Sequence, residues 1–156
     1  MTTKDDRPSF TVENADIIYR NFSGLKTKFN AEGQRNFCVV LDEKVADQMK
    51  ADGWNVRTRE PREEGDDTLN YIQVKVNFDS ARPPRVILVS SAGQTPLNVE
   101  TISTLDYVDI ATVDVQAVAY SWELRGETGI TAYLKKLYVV IEEDELDLKY
   151  SGFNRS

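Results

Sequence analysis

Residues Tyr71-Ile72-Gln73-Val74-Lys75-Val76-Asn77-Phe78 alternate strictly between polar and apolar side chains. Successive side chains of a β-strand point to opposite faces, so this period of two predicts a strand with one buried and one solvated face. The apolar positions predicted to face the core are Ile72, Val74, Val76 and Phe78. The polar face would then carry Tyr71 and Lys75 side by side.

Further runs of the same period, separated by turn residues, predict a mostly β chain. A first strand is expected over residues 9–21, bent near Asn14. A hairpin is predicted with residues 26–29 and 36–41 as its arms, because the Asn and Gly residues between them tolerate positive φ. Two long arms, 108–124 and 130–142, are expected to pair around a turn at residues 125–129, and an irregular or briefly helical stretch is expected from Thr95 to Asp106.

One short helix is predicted near residues 43–52. Asp42 before it can accept a hydrogen bond from an orphan amide as an N-cap, and Gly53 after it can adopt the left-handed conformation that ends a helix. Trp54 is expected to pack this helix onto the sheet.

The composition excludes several classes of function. The chain has 156 residues, of which 40% are hydrophobic, enough for one domain with a core that needs no disulfides. It has no His, which excludes Ser-His-Asp and Cys-His catalysis and His-ligated zinc. Its single Cys, Cys38, lies in an apolar run and is interpreted as a small buried side chain. Any remaining chemistry would have to use carboxylates, Lys or Tyr. The leading expectation is a non-catalytic protein with no cofactor and no metal site.

The sequence predicts neither a membrane span nor a signal peptide. Its longest apolar runs, such as residues 86–89, fall far short of the roughly 20 residues that cross a bilayer. The start of the chain is polar and lacks an apolar h-region. The expected location is the cytoplasm of the cell in which the protein is made.

The net charge of −7 is unevenly distributed. Residues 1–85 carry 14 basic and 15 acidic side chains, a net of −1, whereas residues 86–156 carry 5 and 11, a net of −6. Within residues 20–40, four cations face the single acid Glu32. An overall acidic chain can therefore present a local basic patch.

Basic and aromatic residues alternate in residues 19–29, the combination that single-stranded nucleic acid needs for its phosphates and bases. The predicted base-stacking residues are Tyr19, Phe22, Phe29 and Tyr71. The predicted phosphate contacts are Arg20, Lys26, Lys28, Arg35, Lys75, Arg82 and Arg85. The competing interpretation places Phe22 and Phe29 in the core. Three further aromatics, Tyr120, Trp122 and Tyr133, are interpreted as a packed cross-strand cluster.

Segments spread along the chain resemble the bacteriophage single-stranded DNA-binding proteins. They are Phe37–Asp42, Ala51–Arg57, Tyr71–Val76, Arg82–Val86, Ala132–Lys135 and Ile141–Leu146. The resemblance implies an OB-fold, a five-stranded barrel with additional strands and loops, that binds single-stranded DNA without sequence preference during phage replication and recombination. OB-folds bind across strands 2–3 and the adjacent loops.

The resulting domain division is a flexible N-terminus over residues 1–8, the OB-fold over 9–142 and a partly disordered acidic tail over 143–156. In related proteins such tails contact other replication proteins, which makes phage or host replication proteins the expected partners here. The ending Asn154-Arg155-Ser156 departs from that pattern. The sequence leaves oligomeric state open, homo-oligomers included.

Two other functions stay open at this point. An acidic protein-interaction module or DNA mimic, occupying the nucleic-acid site of a host enzyme, agrees with the net charge of −7. A Mg²⁺-dependent nuclease would need the carboxylates of residues 63–67 or 142–145 to converge, whereas consecutive acids in a loop point in divergent directions.

Overall fold

The structure is a computed structural model, and it describes residues 8–28, 30–61, 63–65, 68–143, 146 and 149. In this part of the chain nine strands form one sheet. They are β1 (Ser9–Ala15), β2 (Ile17–Asn21), β3 (Arg35–Leu41), β4 (Val56–Arg59), β5 (Leu69–Val76), β6 (Arg85–Ser90), β7 (Gly93–Leu97), β8 (Ile110–Leu124) and β9 (Glu127–Ile141). Helix α1 (Glu43–Ala51) follows β3, and a 3-10 helix (Ile102–Asp106) precedes β8. The predicted mostly β architecture with one helix is confirmed.

The strand order is β1-β8-β9-β5-β3-β2, with β4 paired to β5 and the β6–β7 hairpin paired to β9. This path of paired strands does not close on itself, and it is compatible with the open barrel that the resemblance implies. Strand β5 is central: it pairs along its whole length with β3, and its other edge is shared by β4 and β9.

The predicted alternation of β5 is confirmed. Ile72 and Val74 are buried at 1% and 0% exposure, and they face Val39 and Phe37 of β3 in the register. Tyr71 and Gln73 are half-buried on the opposite face, and Lys75 there is exposed. One face of β5 thus belongs to the core and the other is available for binding.

Local sequence explains the ends of the elements. The carboxylate of Asp42 accepts a hydrogen bond from the backbone N–H of Val45 at 2.8 Å, which confirms the predicted N-cap. Trp54 is 8% exposed and packs edge-on against Phe10 with ring centroids 5.0 Å apart. Arg125 and Gly126 both have positive φ, as the two-residue turn between β8 and β9 requires.

The predicted first strand over residues 9–21 is in fact two strands. The chain bends at Asn14, whose φ is +52°, in agreement with the expected bend. Strand β1, which contains this bend, pairs with β8, whereas β2, which follows it, pairs with β3. The two segments therefore lie in one sheet but have different neighbours.

The first arm of the predicted hairpin is wrong. The antiparallel neighbours of β3 are β2 and β5, and the described residues between β2 and β3 contain no strand that could serve as the first arm. Gly33 donates its N–H to the carbonyl of Gly24 at 2.8 Å, closing the base of this loop. The side-chain amide of Asn30 donates to the carbonyls of Leu25, Ala31 and Gln34, so that loop carbonyls bond to a side chain instead of to a strand.

The irregular stretch expected from Thr95 to Asp106 is wrong in its first part. Thr95 and Pro96 belong to β7, which pairs with β6 alone in the described residues. An edge position tolerates Pro because the missing N–H faces away from the neighbouring strand. The 3-10 helix over Ile102–Asp106 agrees with the brief helix expected there.

The expectations for residues 1–7 and for most of the tail over 143–156 fall outside the described residues. None of the helices that the structure describes has the length and hydropathy of a membrane span.

Candidate nucleic-acid interface

The solvated face of β5 continues across β9 to β8. Lys75 lies directly beside Tyr133 in the parallel register of β5 and β9. Tyr133 in turn contacts Tyr120 of β8, and at the other end of β5 Tyr71 contacts Tyr19 of β2. We call the surface formed by Tyr19, Tyr71, Lys75, Tyr133 and Tyr120 the tyrosine face.

Tyr19 and Tyr71 form one end of the tyrosine face. Their rings pack edge-on with centroids 5.6 Å apart, and the hydroxyl of Tyr19 accepts a hydrogen bond from Nη1 of Arg59 at 2.6 Å. Tyr19 has a φ of +53° and lies in an irregularity of the β2–β3 register. Bulges of this kind redirect a side chain, and strained backbone concentrates at functional sites. Here the ring of Tyr19 is turned toward Tyr71 and remains 52% exposed.

Tyr120 and Tyr133 form the other end. Their rings also pack edge-on, with centroids 5.7 Å apart. They line a cavity of about 620 Å³ together with several cations. These cations are Arg82, Arg85, Lys135 and Lys136. This end therefore combines aromatic surface with the positive charge that a phosphate backbone requires.

Lys75 occupies the middle of the tyrosine face. A smaller cavity of about 180 Å³ beside it is lined by Lys75, Tyr133 and Arg35. The Nε of Arg35 is buried and has no hydrogen-bond partner among the described residues. An unsatisfied buried donor costs free energy, so a ligand that offers an acceptor to this group would gain a hydrogen bond.

The cavities of the tyrosine face are positively charged, although the whole chain has a net charge of −7. A third cavity, of about 660 Å³, lies at the Tyr19–Tyr71 end of the face, where Arg20 and Arg57 contribute positive charge. Among the described residues that line the three cavities, Asp106 is the single acid. A different cavity, near the end of β9, is lined by three acids, Asp16, Asp109 and Glu142, and by Arg20, which also lines the third cavity. Positive and negative charges thus predominate in different cavities.

The structure brings seven of the predicted site residues to these three cavities. They are Tyr19, Arg20, Arg35, Tyr71, Lys75, Arg82 and Arg85. Lys26 and Lys28 are exposed on the loop over residues 22–34, and the cavity linings do not include them. Phe29 lies outside the described residues.

The predicted stacking role of Phe22 is wrong. Its ring is completely buried and stacks on Phe37 with centroids 5.0 Å apart. A ring with no exposed surface cannot contact a base, so Phe22 belongs to the core. The predicted phosphate contact of Arg20 stays a prediction, and the structure adds a structural role for this residue. Its Nη1 donates to the carbonyls of Leu105 and Val108 at 2.9 and 2.8 Å.

Sequence reasoning missed Tyr120, Tyr133 and Arg57. Of the three aromatics expected to form a packed cross-strand cluster, Tyr120 and Tyr133 pair, whereas Trp122 lines a different cavity. Tyr120 is 57% exposed, and the tyrosine pair opens onto a cationic cavity. The available signal was the pair Tyr133 and Lys135, two residues apart in the sequence, which repeats the Tyr71–Lys75 combination at a shorter spacing. Arg57 faces Tyr71 across the β4–β5 register.

Cys38 is among the residues that line the third cavity, and it is 5% exposed, as expected for a small buried side chain. Burial raises the pKa of its thiol to about 11, and the nearby charge of Arg57 opposes that shift. The thiol therefore stays protonated and unreactive at neutral pH. The described residues contain no cluster of three or more acidic or Cys side chains that could hold a metal ion.

Comparison with known proteins gives the same fold. Three solved structures of the single-stranded DNA-binding protein from bacteriophage Enc34 are similar to this chain. The C-terminal truncation is 14% identical, with a TM-score of 0.54 and 87% of each chain covered. The complex with ssDNA is 12% identical, with a TM-score of 0.54, covering 87% of this chain and 88% of that one. A third structure is 11% identical, with a TM-score of 0.55 and coverage of 87% and 82%.

At these identities the likeness to the Enc34 structures establishes the fold. The comparison with curated proteins gave no match. The family model of the phage ssDNA-binding domain matches residues 1–155, nearly the entire sequence. The chain therefore belongs to the phage ssDNA-binding domain family.

Proposed function

We propose that this protein is a non-catalytic binder of single-stranded DNA, that it binds without base-sequence preference, and that the tyrosine face is its binding surface. The setting we propose is phage DNA replication and recombination in the host cytoplasm. Family membership supports the ligand, and one of the similar Enc34 structures is a complex with ssDNA.

The observation that carries the proposal is the order of side chains along the tyrosine face. An aromatic pair lies at each end, and Lys75 lies between them. Aromatic rings stack on any base, since every base has a π-face, and cations between them neutralise phosphates. Stacking and charge neutralisation together hold an unpaired strand without depending on its base sequence.

The dimensions of the face suit a strand of several nucleotides. Tyr71 and Lys75 are four residues apart on β5, which corresponds to about 13 Å along the strand. The path then crosses to Tyr133 on the adjacent strand, about 5 Å away, and continues to Tyr120. A duplex would not present its bases to these rings, because they are stacked and paired inside the helix.

The charge of the face argues against a DNA mimic. A mimic presents acidic side chains where its partner expects phosphates, whereas the three cavities here are lined by cations and a single acid among the described residues. That acid, Asp106, accepts hydrogen bonds from Phe22 and Ser23, so its charge is directed into the protein. For protein partners, we propose the acidic tail over residues 143–156 as the contact, with other replication proteins as the class.

The test is a titration of a fluorescently labelled oligo-dT with the protein at several salt concentrations. Counterion release predicts that log affinity falls linearly with log salt, by about 0.7 for each phosphate that the protein neutralises. An oligo of mixed sequence should bind with an affinity close to that of oligo-dT. Undetectable binding at low salt, or an affinity independent of salt, would refute the proposal.

Substitutions at Tyr133 test the location of the interface. Tyr133→Ala should weaken binding by about 1–3 kcal/mol, the value of one stacked base, whereas Tyr133→Phe keeps the ring and should bind nearly as well as the wild type. Leu124→Ala is the matched control, because Leu124 is 65% exposed on the same hairpin and lies outside the three cavities. Equal affinity of the wild type and Tyr133→Ala would remove this end of the face from the interface.

A further inference from the structure

Tyr107 has an exposure that packing does not explain. It is 77% exposed, more than any other large hydrophobic side chain in the described residues. It follows the 3-10 helix directly and lines the same cavity of about 660 Å³ as Tyr19 and Tyr71. Its ring forms no pair with another aromatic ring in the part of the chain that the structure describes, although two rings line the same cavity.

The backbone on both sides of Tyr107 is fixed to strand β2 and the turn after it. Nη1 of Arg20 donates to the carbonyls of Leu105 and Val108, which flank Tyr107. The carboxylate of Asp106 accepts the backbone N–H groups of Phe22 and Ser23 at 2.7 and 2.8 Å. We call these contacts the Arg20–Asp106 clasp. Hydrogen bonds to charged groups are among the stronger ones in proteins.

The 3-10 helix before Tyr107 is also anchored in the core, since its residues Ile102 and Leu105 are 1% and 0% exposed. An exposed aromatic ring on an anchored backbone loses little conformational freedom when it stacks on a ligand, and this pre-organisation favours binding. An exposed ring on a loose loop would lack that advantage.

We infer that this cavity is a nucleobase pocket, in which one base of the bound strand stacks on Tyr107 opposite the Tyr19–Tyr71 pair. The inference rests on the proposed function and adds to it a defined subsite. The cavity is also lined by Asn36 and Gln73, and a side-chain amide such as that of Gln73 can donate to and accept from the polar edge of a base. Arg57 lies at the same cavity and supplies the charge for the adjoining phosphate.

This inference gives Arg20 and Asp106 a role as positioning residues. Neither needs to contact DNA. Each holds the backbone that carries Tyr107, and this explains why an acid is present in a cavity that is otherwise lined by cations and neutral groups.

The first test compares Tyr107→Ala with Tyr107→Phe on labelled oligo-dT. Stacking on one base predicts a loss of roughly tenfold in affinity for Ala and little change for Phe. The salt slope should stay that of the wild type, because no charge is removed. Val99→Ala is the control, since Val99 is 46% exposed just before the same 3-10 helix and does not line the cavity.

An abasic oligonucleotide of the same length isolates the base. The wild type and Tyr107→Ala should bind it equally, because there is no base to stack. A loss on the abasic oligonucleotide as large as the loss on oligo-dT, or an equal loss for Ala and Phe, would overturn the nucleobase pocket.

The second test is a double-mutant cycle between Asp106→Asn and Tyr107→Ala. If Asp106 acts by positioning Tyr107, Asp106→Asn should weaken oligo-dT binding in the wild type but not in the Tyr107→Ala background. Should Asp106→Asn fail to fold, Ser23→Ala replaces it, because it removes only the 2.5 Å bond from the Ser23 hydroxyl. An undiminished effect in the Tyr107→Ala background would overturn the positioning role.

Different results would refute the proposed function and the nucleobase pocket. If the wild type does not bind oligo-dT, the proposed function is refuted. If the wild type binds oligo-dT with the expected salt dependence and Tyr107→Ala binds equally well, the function stands and the pocket is refuted.

Discussion

Lys75 offers the sharpest test of the tyrosine face, because it lies between the two tyrosine pairs. It is exposed on β5 and pairs in register with Asn36 and Tyr133. The opposite face of the strand supplies the core contacts through Val74 and Val76. Lys75→Gln therefore removes a positive charge from the face, keeps much of the side-chain length and leaves the core intact.

The expected magnitude follows from counterion release. Removing one phosphate contact reduces the slope of log affinity against log salt by about 0.7. Between 1 M and 50 mM salt, a 20-fold range, a slope difference of about 0.7 amounts to about eightfold in affinity. Lys75→Gln should therefore bind oligo-dT about eightfold more weakly than the wild type at 50 mM salt, and the two should converge toward 1 M.

The assay is fluorescence anisotropy of labelled oligo-dT at four or more salt concentrations, with thermal melting to confirm the fold. Lys44→Gln is the matched control, because Lys44 is exposed on α1 and does not line the three cavities. It removes the same charge from the molecule at a different place. A Lys75→Gln slope equal to that of the wild type, or an equal loss for Lys44→Gln, would refute the assignment of Lys75 to the interface.

Three further predictions concern the fold. Phe22→Ala should lower the free energy of unfolding, measured in urea, by about 3–5 kcal/mol because a fully buried ring is lost from its stack on Phe37, and a loss below about 1 kcal/mol would contradict its core role. Hydrogen bonds from Ser91 hold the pKa of Glu143 below its ordinary value of 4.5. These bonds to the ionised carboxylate therefore stabilise the fold above pH 4.5, and this stabilisation is lost as the pH falls through the lowered pKa. The decrease in Tm from about pH 5 to about pH 3 should thus be smaller in Ser91→Ala, and an unchanged decrease would be the contrary result. Because burial raises the pKa of Cys38 to about 11, a thiol reagent at about pH 8 should react far more slowly with the folded protein than in urea, and equal rates would show an accessible thiol.

The sequence predicted those elements whose pattern is determined locally. The alternation in β5 and the Asp42 N-cap each depend on side chains within a few residues of one another, and both are confirmed. The first arm of the 26–41 hairpin was wrong because strand pairing is a long-range choice. Asn30 and Gly33 do mark a turn, as expected, but the Asn30 amide occupies loop carbonyls, and β2 supplies the partner strand.

The candidate site was predictable along β5 and not across the sheet. Tyr71 and Lys75 follow from the alternation of one strand. Tyr133 becomes part of the same surface only through the parallel pairing of β5 with β9, which links segments that are far apart in sequence. The burial of Phe22 could not be predicted from the sequence either, because an aromatic residue that neighbours cations in the sequence can point into the core or into solvent. In the structure its ring points into the core, where it stacks on Phe37.

A chain with a net charge of −7 can bind a polyanion because charge acts over a limited distance. The Debye length at physiological salt is about 8 Å, so exposed charges farther away than this contribute little. Glu142, near the end of β9, is nine residues from Tyr133, up to about 30 Å along an extended strand. Affinity at the Tyr120–Tyr133 end of the face is then set by the cations that touch phosphates, because this acid is screened from DNA bound there. Net charge therefore governs the long-range approach of DNA to this protein, and the segregation of charge on the sheet governs whether DNA stays bound.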